Sequence, residues 1–484
     1  MDRPEESSLT RSAGLVGISK LVNILGLLAA SMILTRLLSR SEYGNYEQVW
    51  LVYNSFLPLI GYGLSSSIYF FSAREDRRVV YSSAAVGTTI IGVLTGIVLL
   101  VFAPLIARWF NSDQLTEYIR IFAAYAVLSS PSLMFESVFV TEKRVGWLLA
   151  GNALVAALFA TAVLVSAIVF HNLAVVFASI AVVGAAKSLF LFYFLLKENR
   201  LSSERISPVL KAQLMYALPI LVSSLVGTVS KQIDRILVTL LYSADKFAIY
   251  AIGSKEIPMI AVITGSASAV LFPVFSELGS SEDSGRFIEL WRNSIAKTGL
   301  FLLPMMIFLL FAANDFMVFF FGDKYAASAG IFRIFLLLLP LRLVFYSQAL
   351  FSLGKQKIYM YTTIVELILS GICSYILLRL YGLEGAAIGK VAVSYLEVAV
   401  LAGILMFLLK TNVKEFFPWM RIFKIVGFSI VGVLPSALVG SLIGSVYVRF
   451  VAEGICFMVV FGAIALLTGS VRVVDLKKFQ VQVN

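Results

Sequence analysis

An all-α protein threaded repeatedly through a lipid bilayer is what this sequence predicts, and three observations lead there. Hydrophobic residues fill 60% of the 484 positions, charged residues only 14%, and mean hydropathy is +0.92. A soluble domain carries roughly a quarter charged residues, so this chain has too little polar surface to cover a water-facing globule. Apolar stretches of about 20 residues, the length of a helical span, recur from one end to the other. They are unbroken runs without period-2 alternation, which argues against a barrel.

Fourteen such stretches follow in order, at roughly 13–38, 45–72, 80–107, 117–140, 147–170, 173–196, 212–241, 247–277, 293–320, 326–351, 358–380, 384–409, 418–445 and 450–470. The first is preceded by a polar dozen, MDRPEESSLTRS, with no small-residue cleavage site after it. It is too long for a signal-peptide core and reads as a retained span. The connecting loops are short. The longest, about 197–211, 278–292 and 410–417, are too small to fold alone.

Sorting the basic residues by loop explains the net charge of +11. Loops of one parity carry 22 Lys and Arg, loops of the other carry 6, and 11 fall within spans. The positive-inside rule then places both termini in the cytoplasm of a multi-pass cell-membrane protein, in agreement with an even number of spans. The basic pI is a topology signal, so nucleic-acid binding does not follow from it. Cys373 and Cys456 lie within spans, and the single His171 lies in a short extracytoplasmic turn where it reads as a solvated interfacial residue. Neither suggests a disulfide framework or a metal site.

The two halves resemble one another. YIRIFAAYAVLSSP at 118–131 aligns with IFRIFLLLLPLRLV at 331–344, matching Arg120 with Arg333. TEKRVGW at 141–147 and LGKQKIY at 353–359 occupy equivalent turns, and LLSRSEYGNY at 37–46 echoes LLYSADKFAIY at 240–250. A repeat of six spans keeps its orientation, because six is even. The expected organisation is an N-terminal lobe over 1–200, a second lobe over 201–412, and two extra spans with a tail over 413–484. Parallel repeats with a substrate path between them are a transporter design.

Charges inside a bilayer are costly and seldom idle. The seventh span carries Lys231, Asp234 and Arg235 at i, i+3 and i+4, which share one helical face. At 1.5 Å per residue they lie about 10–16 Å from the outer end of that span. The eighth span brings Lys255 and Glu256 to similar depth, and Arg36 and Glu47 lie somewhat shallower. Such a lining is mixed but net cationic, which suits a phosphate-bearing headgroup. The competing reading is that Asp234 pairs with Lys231 or Arg235 and only lets the helix face a wet cavity. Asp234, Glu47 and Glu366 are the candidate coupling acids. Tyr46, Trp50, Tyr53 and Asn54 share a face of the second span and could stack on and bond to sugar rings, although such aromatics are also ordinary interfacial residues. Pro131, Pro219, Pro304 and Pro340 lie within spans, where proline kinks a helix.

The stretches LTRLLSRSEYGNYEQVW and GYGLSSSIYFFSA resemble the start of polysaccharide-export and O-antigen flippases of the multidrug/oligosaccharidyl-lipid/polysaccharide superfamily. ALPILVSSLVGTVSKQIDRILVTLL resembles the opening of their second lobe, and LYGLEGAAIGKVAVSYL their twelfth helix. The resemblance covers the whole chain through loose motifs, with Ala248 standing where the first repeat has Gly44. It implies a central cavity lined by helices 1, 2, 7 and 8, in which Arg36, Lys231, Arg235 and Lys255 meet the diphosphate of a polyprenyl-linked oligosaccharide. The two extra helices would accommodate the polyprenyl tail.

The function expected is therefore a flippase for cell-surface polysaccharide synthesis, moving a lipid-linked oligosaccharide by alternating access among membrane lipids. No covalent step and no cofactor are expected. The chain has no Gly-Lys-Ser/Thr phosphate loop and no metal-spaced His/Cys cluster, so a proton or sodium gradient, the membrane potential or the substrate's own gradient must drive transport. Substrate-binding candidates are Arg36, Glu47, Tyr53, Asn54, Lys231, Asp234, Arg235 and Lys255. The rivals are a cation-coupled multidrug exporter, which would favour an acidic lining, and a peptidoglycan-precursor flippase. A membrane enzyme of lipid-linked sugars is disfavoured by the lack of an extracytoplasmic loop able to hold a catalytic domain.

Overall fold

A computed structural model describes residues 24–280 and 283–468. Every regular element among them is helical. In chain order these are α1 (Ile24–Leu37), α2 (Arg40–Leu57), a π turn (Pro58–Tyr62), α3 (Gly63–Phe71), α4 (Arg77–Trp109), α5 (Leu115–Ser129), α6 (Phe135–Thr141) and α7 (Val145–Val165). Then come α8 (Leu173–Lys197), α9 (Ile206–Leu241), α10 (Ala244–Gly253), α11 (Pro258–Ser280), α12 (Ser284–Phe311) and α13 (Ala313–Phe321). The chain closes with α14 (Ser328–Leu336), α15 (Tyr346–Ser352), α16 (Gln356–Leu408), α17 (Val413–Phe416), α18 (Trp419–Ser441) and α19 (Val446–Leu467).

Eleven helices among the described residues are long and apolar enough to cross a membrane. Large apolar side chains stand exposed along their outer faces: Ile90, Leu94, Ile97 and Val101 on α4, and Leu434, Leu438, Val451 and Val459 on α18 and α19. Only a lipid solvent tolerates a continuous coat of this kind. The chain is a multi-pass integral membrane protein.

Some expected segments are realised differently. The helix that carries the stretch expected at 45–72 begins earlier, at Arg40, includes Glu42, Asn45, Glu47 and Gln48, and is interrupted by the π turn at Pro58. The eighth stretch, expected to be continuous over 247–277, breaks at 254–257 between α10 and α11. Pro258 supplies no backbone donor and biases the preceding residue away from helix. The expected loops 197–211 and 278–292 are shorter than predicted, since α9 already begins at Ile206 and α12 at Ser284, whose N-cap is Asp283. Within α16 the helix is interrupted at Gly382 (φ 66°), a left-handed conformation that glycine adopts without a Cβ penalty.

The repeat around Arg120 and Arg333 is visible in the backbone. Each copy runs as a helix, then a 3-10 turn with proline near its start (Ser130–Met134 and Leu339–Leu343), then a short helix. The short helices end alike. Arg144 N donates to the Phe139 carbonyl, and Lys355 N to the Leu350 carbonyl, both at 2.8 Å, past the left-handed residues Lys143 and Gly354. These are Schellman closures.

The chain divides into two compact units, Met1–Ala251 with Thr363–Leu380, and Ile252–Thr362 with Tyr381–Asn484. In the first, α4, α6 and α8 enclose Tyr81, Met134, Phe135, Phe139, Leu191 and Leu195. Above this core Glu142 gathers the Tyr81 hydroxyl (2.7 Å), Arg200 (2.7 Å) and Arg77 (3.5 Å). In the second, Trp291 packs against Phe275, Tyr346 and Phe416, and Phe308 against Phe450 and Phe457.

Candidate functional site

The candidate site is built where α9 meets α2 in the first unit. Of the three charges on the α9 face, each has a different surrounding. Arg235 is half-buried, and its Nη2 donates to Glu47 Oε2 at 2.7 Å. Its guanidinium carbon stands 5.7 Å from the centre of the Phe247 ring, and its Nε is enclosed with no hydrogen bond among the described residues. Asp234 is buried and accepts from the Tyr250 hydroxyl at 2.6 Å. Lys231 is exposed. The i, i+3, i+4 spacing groups them on one side of the helix, yet their burial differs, and Arg235 finds a carboxylate on another helix.

Glu47 is buried and held from its own helix. Tyr43, one turn earlier, donates to Glu47 Oε1 at 2.7 Å, and the Tyr43 hydroxyl lies 2.6 Å from Ser31 Oγ on α1. A hydrogen-bonded line thus runs from α1 through Tyr43 and Glu47 to Arg235. In a low-dielectric setting a carboxylate and a guanidinium are tolerated because they are paired and further hydrogen-bonded.

The same face of α2 continues the seam. Gln48 Nε2 donates to Thr239 Oγ1 at 2.5 Å and to the Phe110 carbonyl at 3.3 Å. At Gly44 a Cβ would stand 1.9 Å from the Ala244 carbonyl oxygen, so two backbones touch where only glycine fits. At the exposed rim Arg40 pairs with Asp245 at 3.1 Å. Arg40, Gly44 and Gln48 are spaced by four and lie on one side of the helix. Toward its other end α9 passes from α2 to α3 and α4. Ser83 donates to buried Gln213 at 2.8 Å, and a Cβ on Gly63 would meet the Ala217 side chain at 2.7 Å. Beside this contact a cavity of about 250 Å³ is lined by apolar side chains, Leu59, Leu64, Ile91, Leu214, Met215 and Leu218 among them.

The remaining candidates are dispersed. Arg36 is exposed on α1. Tyr53 is buried among Trp50, Phe122 and Tyr125, with its hydroxyl 3.4 Å from Ser129 Oγ, while Asn54 is half-buried. Tyr46 stacks on Phe177, so much of this aromatic face is core of the first unit. Lys255 belongs to the second unit and lies in the non-helical break after α10, where Glu256 pairs with Arg342 at 3.5 Å. Glu366 on α16 is buried, taking hydrogen bonds from Ser230 on α9 and from Ser370 (3.0 Å). Sequence reasoning missed Tyr43, Tyr250, Gln48 and Thr239. Tyr43 alone had a legible signal, its i, i+4 spacing to Glu47.

Residues 33–330 match the model of the family described as polysaccharide biosynthesis protein. A Shigella flexneri protein named "Putative O-antigen transporter" is 28% identical over 173 residues, which span 34% of this chain and 40% of that protein's length. Among solved structures, the lipid II flippase MurJ in an inward closed conformation superposes with a TM-score of 0.73 at 15% identity, covering 95% of this chain and 98% of MurJ. An inward-facing multidrug resistance MATE transporter of the MOP superfamily gives 0.64 at 18% identity, over 80% of this chain and 94% of that one. The fold of this multi-pass protein is the one shared by these transporter structures. The chain belongs to the polysaccharide biosynthesis protein family.

Proposed function

We propose that the protein is a flippase that carries a polyprenyl-diphosphate-linked oligosaccharide from the cytoplasmic to the outer leaflet by alternating access. The observation that carries this reading is the Glu47–Arg235 pair. A guanidinium held by a carboxylate on a facing helix can exchange that partner for a diphosphate, which offers the same forked geometry and more charge. Lys231, Lys255 and Arg36 are the further cations proposed to meet the headgroup, with Asn54 on the lining; Asp234 and Tyr53, both buried, would support it from within the first unit. Engaging Arg235 would release Glu47, so substrate binding and opening of the α2–α9 seam become one event, as differential affinity for two states requires. The family and the Shigella relative's name support the substrate class.

The proposed organisation is fourteen spans in two six-span lobes, 1–200 and 201–412, with two extra spans and a tail over 413–484 beside the lipid tail. The loop charge of 22 against 6 favours cytoplasmic termini in the cell membrane. Transport needs no covalent chemistry, and a proton or sodium gradient is a candidate driving force.

The test is flipping of a fluorescent polyprenyl-diphosphate oligosaccharide in proteoliposomes, comparing wild type with the Lys231→Ala/Arg235→Ala double variant. Flipping that the variant loses supports both substrate and site. A folded wild type that moves no lipid-linked glycan under any imposed gradient rejects the reading. The MurJ likeness favours one second reading, a peptidoglycan-precursor flippase, which lipid II in a parallel arm of the same assay separates.

A further inference from the structure

The second unit contains a charged cluster remote in sequence from the Glu47–Arg235 pair. Asp315 on α13 is buried and receives a forked pair of hydrogen bonds from Arg449 on α19, Nη2 to Oδ1 at 2.6 Å and Nε to Oδ2 at 2.5 Å. That geometry commits the guanidinium edge to one carboxylate. Glu453 follows Arg449 by four residues on the same helical face and is 4% exposed.

Its carboxyl has no such partner. Oε2 is enclosed and makes no hydrogen bond among the described residues. Oε1 lies over the backbone of α18, where a Cβ on Gly440 would stand 1.8 Å from it. The Ser436 hydroxyl of α18 donates to the main-chain carbonyl of Glu453 at 3.0 Å, not to its side chain. Charged groups on the packed helices are few. On α13 there is Asp315, of like sign. On α18 Arg421 and Lys424 lie in the opening turns, far from Gly440, and Arg421 bonds Asn293 at 2.8 Å. On α12 Phe308 faces Gly454, while Arg286, Glu289, Arg292 and Lys297 lie about three or more turns away along that helix.

Two carboxyls therefore share one arginine that is already taken. A carboxylate with one oxygen enclosed in a lipid-embedded helix pair, and no donor to that oxygen among the described residues, is a costly state for a side chain, whereas a neutral acid with an unbonded hydroxyl is far less costly. We propose that Glu453 is a proton-binding site: its carboxyl carries the proton in this conformation and exchanges it with water when the Asp315–Arg449 pair opens. Binding forms one O–H bond with a proton taken from hydronium, and release returns it to water. Opening would free Arg449 to stabilise the deprotonated Glu453 one turn away, so the arginine would change carboxylates as the proton leaves.

The test does not depend on transport. The full chain in liposomes is titrated by pH-difference infrared spectroscopy, with Glu453→Gln and Glu453→Met as neutral variants. A carbonyl band of a protonated acid that disappears on alkalinisation in wild type, and is missing from both variants, is the expected result. Both variants should also melt no lower than wild type at neutral pH. The proposal is overturned if wild type and variants give the same carboxyl bands at every pH. It is also overturned if both variants are destabilised at neutral pH, which would mean that a charged carboxylate is needed there, or if added sodium at fixed pH, and not pH, changes the wild-type spectrum.

Discussion

Arg235 on α9 donates to Glu47 on α2 at 2.7 Å across a sequence separation of 188 residues. The bond ties α2 to α9 within the first unit, and it sits beside the backbone contact of Gly44 with Ala244. The proposed latch and the proposed substrate ligand are thus the same guanidinium.

Arg235→Ala should loosen the seam while leaving the protein inserted and folded. Loss of a part-buried pair worth about 1–2 kcal/mol shifts a two-state balance by about five- to thirtyfold. A cysteine at buried Ala244, in a background lacking Cys373 and Cys456, reports it as faster reaction with a membrane-impermeant thiol reagent. An unchanged rate would show that the pair does not hold the seam.

The charge swap Glu47→Arg/Arg235→Glu separates the two roles. Slow labelling should return, because a pair of reversed sense can form, but flipping should not, because the cation has moved to α2. Recovery of both would assign the residues to gating alone.

Gly44→Ala should be more severe than its single methyl suggests. The added carbon meets a backbone oxygen, not a flexible side chain, and overpacking of this kind typically costs about 1–3 kcal/mol. The expected outcome is a protein of near-native helix content that labels rapidly at position 244.

Tyr250→Phe removes one donor from buried Asp234 and should destabilise by about 1–3 kcal/mol. A lower melting midpoint that Tyr250→Phe/Asp234→Asn partly restores would show that the charge of Asp234 makes the loss costly.

Glu142→Gln probes stability apart from transport. The carboxylate serves Tyr81, Arg77 and Arg200, and because both arginines are partly exposed the loss should be about 2 kcal/mol, below that of a fully buried pair. Flipping per folded molecule should be unchanged.

The sequence by itself determined the helical class, the bilayer as solvent, the repeat around Arg120 and Arg333, and the stripe of Lys231, Asp234 and Arg235. Each follows from composition or from short-range periodicity, and a 3.6-residue period places side chains on faces whatever the rest of the chain does. Tertiary structure alone decided which charges pair. Arg235 takes Glu47 while Asp234 takes Tyr250, and the aromatic face around Tyr53 is spent on packing in the first unit. It likewise decided that the Arg449 fork goes to Asp315 and that Glu453 Oε2 makes no hydrogen bond among the described residues. Partner choice depends on contacts between helices distant in sequence, and in a low-dielectric interior the energy of a charge is set almost wholly by its nearest neighbours.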